Sequence, residues 1–145
     1  LGLHGHAVAA LHLHRALRGT ATMPTVLPGA AFFLNMPYAP VRQMIDAGLG
    51  VAMASDCNPG SSPSANMQLV LSMACINYRM LPEEAINAVT LNSAYAMGVS
   101  GELGSIAVGK QANFFITKPI PSYEYMPYSY GENKVERVFI GGRRV

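Results

Sequence analysis

Two short apolar runs mark where the chain is predicted to form a sheet. Residues 25–34 ("TVLPGAAFFL") are apolar and bounded by turn residues, which predicts a buried strand and the loop that follows it. Residues 49–56 ("LGVAMASD") are apolar on both faces, as strands of a parallel sheet covered by helices require. Both runs therefore predict interior strands.

Helical spacing of apolar residues is found between and after these runs. It occurs in 37–48, which Gly48 is expected to end, and again in 62–80 and 81–98. Ser62 is followed by a proline and is the predicted N-cap of the second of these helices. Its methionines are predicted to pack in the core rather than to line a cofactor. The alternation of strands and helices predicts an α/β unit with a parallel sheet.

Residues 101–145 have a different pattern. A Gly-Lys turn precedes a predicted strand at 112–117, and 134–145 combine a strand, a Gly-Gly turn and a short end piece. The Pro- and Tyr-rich segment between them is predicted to be a long loop with surface tyrosines. These features predict a small antiparallel β unit appended to the α/β part, which is assigned to residues 1–100.

Composition narrows the class of protein. Hydrophobic residues make up 50% of the 145 residues and charged residues 12%, against roughly 25% charged in an average globular domain. No apolar run reaches the ~18–20 residues of a spanning helix, which argues against a membrane protein. We therefore expect protein absent from this sequence to cover much of the surface, and the chain, which begins at Leu1, to be a fragment.

Charge and cysteine content bear on partners and compartment. The net charge of +2 includes no long basic block, so nucleic acid is not an expected partner. Cys57 and Cys75 are the two cysteines and lack Cys-x-x-Cys spacing. That usage favours a reducing compartment, the cytoplasm, over a disulfide scaffold.

Residues 1–18 hold all four histidines and no acidic residue. His-x-His spacing, which places both imidazoles on one face of a strand, occurs twice. The pairs are His4 with His6 and His12 with His14. Such a pair could bind a metal ion. The alternative is a terminus of unusual composition, because no hydrophobic strand anchors the histidines.

Asp56 ends the second apolar run, where a buried carboxylate is costly unless something pairs with it. It could cap the next helix, but Ser62 is predicted to do that. Because α/β folds place their chemistry at the carboxyl ends of parallel strands, Asp56 is a candidate metal ligand or general base. Asn58, Gly60 and Ser61 add an amide, a close backbone approach and a hydroxyl, which suit polar or anionic ligand atoms. A purely structural turn is the alternative.

Two longer stretches carry the most specific pattern in the chain: "PVRQMIDAGLGVAMASDCNPGSSPS" and "MLPEEAINAVTLNSAYAMG". Both closely resemble the imidazolonepropionase family of the amidohydrolase superfamily. "LGSIAVGKQANFFIT" is similar to the C-terminal β segment of the superfamily, where an aspartate is more usual at the position of Asn113. The resemblance, from about Gly19 to Val145, implies the C-terminal part of a metal-dependent (β/α)8 hydrolase barrel plus a small appended antiparallel β unit.

The resemblance also implies roles for the candidate residues. Asp56 would be the metal-binding aspartate at the end of the last barrel strand and would accept a proton from the attacking water. Asn58, Gly60 and Ser61 would contact the substrate. The implied reaction is the hydrolytic ring opening of 4-imidazolone-5-propanoate to N-formimidoyl-L-glutamate in histidine degradation, with a zinc or iron ion. Such sites need about three protein ligands, so the chain alone is expected to be inactive.

The first residues depart from the family that the chain resembles. That family carries an Asp-His-Leu strand end with a catalytic histidine about where His4 or His6 falls, whereas this chain has "GLHGHAV". We therefore expect residues 1 to about 15 to be a shifted reading frame or a wrong start. The roles of both histidines stay open.

Two other functions stay open on the sequence. The chain could be a non-catalytic α/β module that binds a small anion at a helix start in Ser61–Ser64, or that serves only for assembly. It could also belong to another amidohydrolase, such as a relative of cytosine deaminase, although the Asn-Pro-Gly-Ser-Ser loop argues against this. Expected partners are the small-molecule substrate and the missing N-terminal part of the same enzyme, with a homodimer as an open option.

Overall fold

The computed structural model describes residues 16–17 and 19–145. The predictions made for the four histidines and for the reading frame lie outside the described residues. The elements, numbered along the chain, are β1 (Thr25–Val26), α1 (Pro28–Phe33), α2 (Val41–Asp46), β2 (Ala52–Met53), α3 (Met67–Asn77), α4 (Pro82–Val89), α5 (Leu91–Ala96), β3 (Phe114–Thr117), α6 (Tyr125–Tyr128), β4 (Val135–Ile140) and β5 (Arg143–Arg144).

Strands β1 and β2 form a parallel pair in which Val26 lies opposite Met53. Helices α1 and α2 connect them, as a parallel pair requires. Both predicted strands are present, but each is shorter than the apolar runs 25–34 and 49–56. The prediction of a loop after β1 is wrong. Helix α1 stands there instead, and it begins with Pro28, whose missing N–H costs nothing at a first helical position.

Helix α3 is capped by Asn66, whose side chain accepts hydrogen bonds from the N–H groups of Gln68 and Leu69. The prediction that Ser62 caps this helix is wrong, because its hydroxyl donates to a backbone carbonyl outside the helix. The helix start predicted at Ser61–Ser64, where one alternative function placed an anion, is therefore not formed.

The helical stretch 81–98 forms two helices, α4 and α5, joined at Thr90, whose φ of −123° and ψ of −86° interrupt the helical backbone. Pro82 begins α4, as predicted. Gly48 follows α2 with a φ of 85°, a left-handed conformation that ends the helix where the sequence predicted.

The hydrophobic core joins the parallel strands to helices α2, α3 and α4. Helix α3 contributes Val70, Leu71 and Ala74, which confirms that this methionine-rich helix packs in the core. The buried members of the core are Val26, Val41, Met44, Val51, Met53, Val70, Leu71, Ala74, Tyr78, Met80, Ala85, Ala88 and Met126.

The C-terminal strands form an antiparallel sheet in the order β3-β4-β5. Phe114 lies opposite Phe139 and their rings stack 4.7 Å apart. Gly141 and Gly142, both with positive φ, make the turn into β5. The predicted loop before β4 contains helix α6, whose Met126 is buried. The assignment of residues 101–145 to a separate appended unit stays a prediction.

Large apolar side chains are exposed on the described surface. Phe32, Phe33 and Leu34 are about half exposed, and Ile106 and Val108 almost fully. Exposed apolar surface of this kind marks contact sites, in agreement with the expectation that other protein covers this chain. None of the helices in the described part of the chain has the length and apolar character needed to cross a bilayer.

Candidate active site

Asp56 lies three residues beyond Met53, in the loop of residues 54–65 that follows β2. This segment is called the Asp56 loop. Its φ of 50° falls in the left-handed region that residues other than glycine rarely adopt. Aspartate tolerates this conformation better than most residues because its short polar side chain can form local hydrogen bonds. The chain therefore turns sharply at the predicted site residue, and the side chain is partly exposed.

Asn58 organises this loop through both ends of its amide. Its Nδ2 donates to the backbone carbonyl of Asp56 at 2.6 Å and to Oγ of Ser61 at 2.8 Å. Its Oδ1 accepts from the N–H groups of Gly60 and Ser61, each at 2.9 Å. An asparagine that bonds its own backbone in this way closes a turn. Asn58 therefore has a structural role beside the predicted contact with substrate.

Ser61 connects the far end of the turn to the carboxylate of Asp56. Its Oγ lies 3.4 Å from Oδ2 of Asp56 and 3.1 Å from Oδ1 of Asn58, and it can donate its one proton to either oxygen. The structure thus brings together all four predicted site residues, with Gly60 at the exposed tip of the turn. Their predicted roles toward metal and substrate stay predictions.

Ser62 is a residue of this loop that sequence reasoning misassigned. It is 3% exposed, and its Oγ donates to the carbonyl of Ser55 at 2.7 Å. Its backbone N–H and carbonyl pair with those of Asn58 in an isolated antiparallel bridge. A Ser-Pro pair is a helix-start signal, and no other signal in the sequence points to this contact across the loop.

The open edge of β2 carries two further contacts that the sequence did not indicate. Asn92 Nδ2 donates to the carbonyl of Val51 at 2.9 Å. Ser93 Oγ lies 2.8 Å from the carbonyl of Met53 and 2.7 Å from that of Ala88, and it can donate its one proton to either. Both donors stand at the start of α5. They anchor the strand that leads into the Asp56 loop.

The metal-binding capacity of this part of the chain is limited. Among the described residues, no three His, Cys, Asp or Glu side chains lie close enough to hold an ion. Asp56 offers one carboxylate, which within the described part of the chain has a single long hydrogen-bond contact, 3.4 Å from Oγ of Ser61. A carboxylate suits zinc and iron sites alike. Asp56 therefore fits a metal site as one ligand, and residues outside the described part must supply the rest.

Comparison with known proteins identifies the family. The sequence profile described as "Amidohydrolase family" matches residues 14–145 of this chain. The chain belongs to the amidohydrolase family. This result agrees with the fold seen here, in which helices follow short parallel strands and an acidic residue stands beyond a strand end.

Several curated relatives of this amidohydrolase chain are imidazolonepropionases. The imidazolonepropionase of Christiangramia forsetii is 49% identical over 152 aligned residues, covering 100% of this chain and 37% of the relative. That of Flavobacterium johnsoniae is 57% identical over 88% of this chain and 31% of the relative. That of Bacillus velezensis is 45% identical over 97% and 35%. The chain thus spans about a third of the length of these relatives.

Solved structures support the amidohydrolase fold. An adenosine deaminase from Xanthomonas campestris with bound zinc superposes with a TM-score of 0.78 at 24% identity, over 94% of this chain and 34% of that one. Guanine deaminase from E. coli superposes with a TM-score of 0.73 at 21% identity, over 91% and 36%. At this level of identity the likeness establishes the fold alone.

Proposed function

We propose that this chain is the C-terminal part of a metal-dependent enzyme that opens the ring of 4-imidazolone-5-propanoate to give N-formimidoyl-L-glutamate. The observation that carries the proposal is the 49% identity to an imidazolonepropionase over the whole chain, the Asp56 loop included. In this proposal residues 1–100 complete a (β/α)8 barrel and residues 101–145 belong to a small appended β unit. The missing N-terminal part supplies the remaining barrel and metal ligands, in a cytoplasmic enzyme.

Asp56 has two tasks in the proposed reaction. Its carboxylate would hold a zinc or iron ion together with ligands from the rest of the enzyme. Such an ion makes a water acidic enough to attack at neutral pH and polarises the ring carbonyl. Asp56 takes the proton of the attacking water as a general base and returns it to the ring nitrogen as the C–N bond breaks. One water is consumed, and the amide becomes a carboxylate.

The turn beyond Asp56 is assigned to substrate binding. The tip at Gly60 is open: apart from the adjacent residues in the chain, the described residues place only Oδ1 of Asn58 within 4 Å of a Cβ built there, at 3.5 Å. A substrate carboxylate or ring atom can therefore approach the backbone closely. Ser61 supplies a hydroxyl beside it, and Asn58 supplies an amide. The hydrogen bonds already present in the turn hold these groups in place before substrate arrives.

The proposal is tested on the complete enzyme, loaded with zinc or with iron, by following ring opening of the substrate. Asp56→Asn keeps the size and one ligating oxygen but removes charge and basicity. We expect kcat to fall by ~10²–10⁴-fold, the usual effect of losing a general base. Asp46→Asn, at an exposed carboxylate on α2, is the matched control and is expected to retain kcat.

Three outcomes would contradict parts of this proposal. Near-normal turnover of Asp56→Asn with its metal in place would remove the catalytic role of Asp56. Hydrolysis of a purine or of cytosine by the wild-type enzyme, with no reaction of the imidazolone, would assign it to another amidohydrolase activity. Loss of stability in Asp56→Asn, with activity per folded molecule preserved, would show that Asp56 is a structural turn residue.

A further inference from the structure

Ser62 ties together the two ends of the Asp56 loop. Its hydroxyl donates to the carbonyl of Ser55, the residue directly before Asp56, at 2.7 Å. Its backbone pairs with Asn58, with N···O distances of 3.0 and 3.3 Å. The loop is therefore closed on both sides of the carboxylate by one buried residue.

Gly29 of helix α1 packs directly against Ser62 and Ser55. A Cβ built on Gly29 would overlap Oγ of Ser62, while Cβ of Ser62 and the carbonyl of Ser55 lie at 3.5 and 3.4 Å, ordinary contact distances. The glycine is needed here for space, since any side chain at this position would drive the Ser62 hydroxyl from its partner. The first turn of α1 thus limits where the Asp56 loop can lie.

We propose that Ser62, seated against Gly29, is a positioning residue that holds Asp56 in its reactive geometry. The inference rests on the proposed function, in which Asp56 handles the proton of the attacking water. The Ser62–Ser55 hydrogen bond fixes the peptide that leads into the left-handed turn at Asp56. A displacement of about 1 Å can cost ~10²-fold in rate even when the mutated residue does not touch the substrate.

The test is a double-mutant cycle in the complete enzyme. We expect Ser62→Ala to lower kcat about 10-fold with little change in KM, because the substrate-binding turn keeps its own hydrogen bonds. Gly29→Ala should lower kcat at least as much, since its methyl group displaces the hydroxyl. The double variant should behave like Ser62→Ala alone, because removing Oγ makes room for the new methyl group.

Ser72→Ala is the matched control. Ser72 is a second buried serine, 1% exposed, whose Oγ donates at 2.8 Å to the carbonyl of Pro127, a residue of α6 rather than of the Asp56 loop. Both serine variants should lower the Tm to a similar degree. Only Ser62→Ala should lower kcat per folded molecule.

Two results would overturn the positioning role. If Ser62→Ala keeps kcat within twofold while its Tm falls like that of Ser72→Ala, Ser62 is purely structural. If the effects of Gly29→Ala and Ser62→Ala multiply in the double variant, the two residues do not act through one contact. The Tm values of the cycle, measured on metal-free enzyme, report the contact without reference to the reaction. Failure of the proposed function is distinct, since the wild-type enzyme would then not open the imidazolone ring.

Discussion

The Asp56 loop and helix α3 are neighbours that are held in place by different kinds of contact. Helix α3 is held by burial of apolar side chains such as Leu71, with Asn66 capping its start. The loop buries one small side chain, that of Ser62, and otherwise depends on hydrogen bonds made by Asn58 and Ser61. Packing of the helix is therefore expected to contribute mainly to the free energy of unfolding, whereas the hydrogen bonds of the loop set the position of Asp56.

This difference has a physical cause. Apolar burial is non-directional and roughly proportional to area, so a helix tolerates small shifts without losing much of it. Hydrogen bonds depend on distance and angle, so a network of short polar side chains specifies where one carboxylate lies. Substitutions in the two regions should accordingly separate into effects on unfolding and effects on turnover.

The largest effect on stability is expected in the helix. Leu71→Ala in the complete enzyme should lower the free energy of unfolding by about 2–5 kcal/mol, because it removes a buried side chain and leaves a cavity. Turnover per folded molecule should stay within twofold. Denaturant unfolding and steady-state kinetics on one preparation measure both. Ile76→Ala is the control, since Ile76 is 57% exposed on the same helix.

A tenfold loss of turnover in folded Leu71→Ala would contradict this separation. It would show that packing of α3 sets the position of the Asp56 loop.

Two asparagines sharpen the comparison, because each accepts two backbone N–H bonds through its Oδ1. Asn66→Ala removes a helix cap and should cost about 1 kcal/mol of stability with unchanged kinetics. Asn58→Ala should raise KM and, to a smaller extent, lower kcat, because its amide is proposed to contact the substrate and donates to the carbonyl of Asp56. If Asn58→Ala and Asn66→Ala have the same KM and kcat, the proposed functional role of Asn58 is wrong.

The smallest effect on turnover is expected at an ion pair between helices α2 and α4, outside the Asp56 loop. Arg42 binds Glu84 through two bonds of 2.7 and 3.0 Å, and the hydrogen bond from Arg42 holds the pKa of Glu84 below its usual range. Glu84→Gln should therefore cost about 1 kcal/mol at pH 7, as a partly screened pair does. Turnover should be unchanged.

The pH dependence of this pair has a defined sign. Because the pKa of Glu84 is lowered on folding, its contribution is present above the ordinary value of 4.5 and is lost as pH falls through the lowered value. The difference in Tm between wild type and Glu84→Gln should narrow as pH falls below about 4.5. A constant difference would contradict the assignment. Asp46→Asn, which removes the more exposed partner of Arg42, is expected to change little.

The sequence by itself determined the elements that depend on local pattern. Apolar runs located both parallel strands, and helical spacing located α2, α3 and the stretch that forms α4 and α5, although it missed α1 and α6. Gly48 and Pro82 marked the end of α2 and the start of α4. The motif around Asp56 was also sufficient to indicate the family, since the spacing of its residues is a property of the chain alone. These features share one cause: each is decided by residues close together in sequence.

Tertiary structure decided which partners Ser62 and Asn92 bind. Ser62 has the sequence context of a helix cap, yet its hydroxyl binds Ser55 and its position is limited by Gly29, which is distant along the chain. Asn92 likewise bonds to the backbone of Val51, next to β2, rather than to its own helix turn. Ser93 Oγ is within hydrogen-bond distance of Met53 in β2 as well as of Ala88 in α4. A serine or asparagine can serve many partners equally well, so the partner is chosen by whichever backbone groups the fold leaves within hydrogen-bond distance.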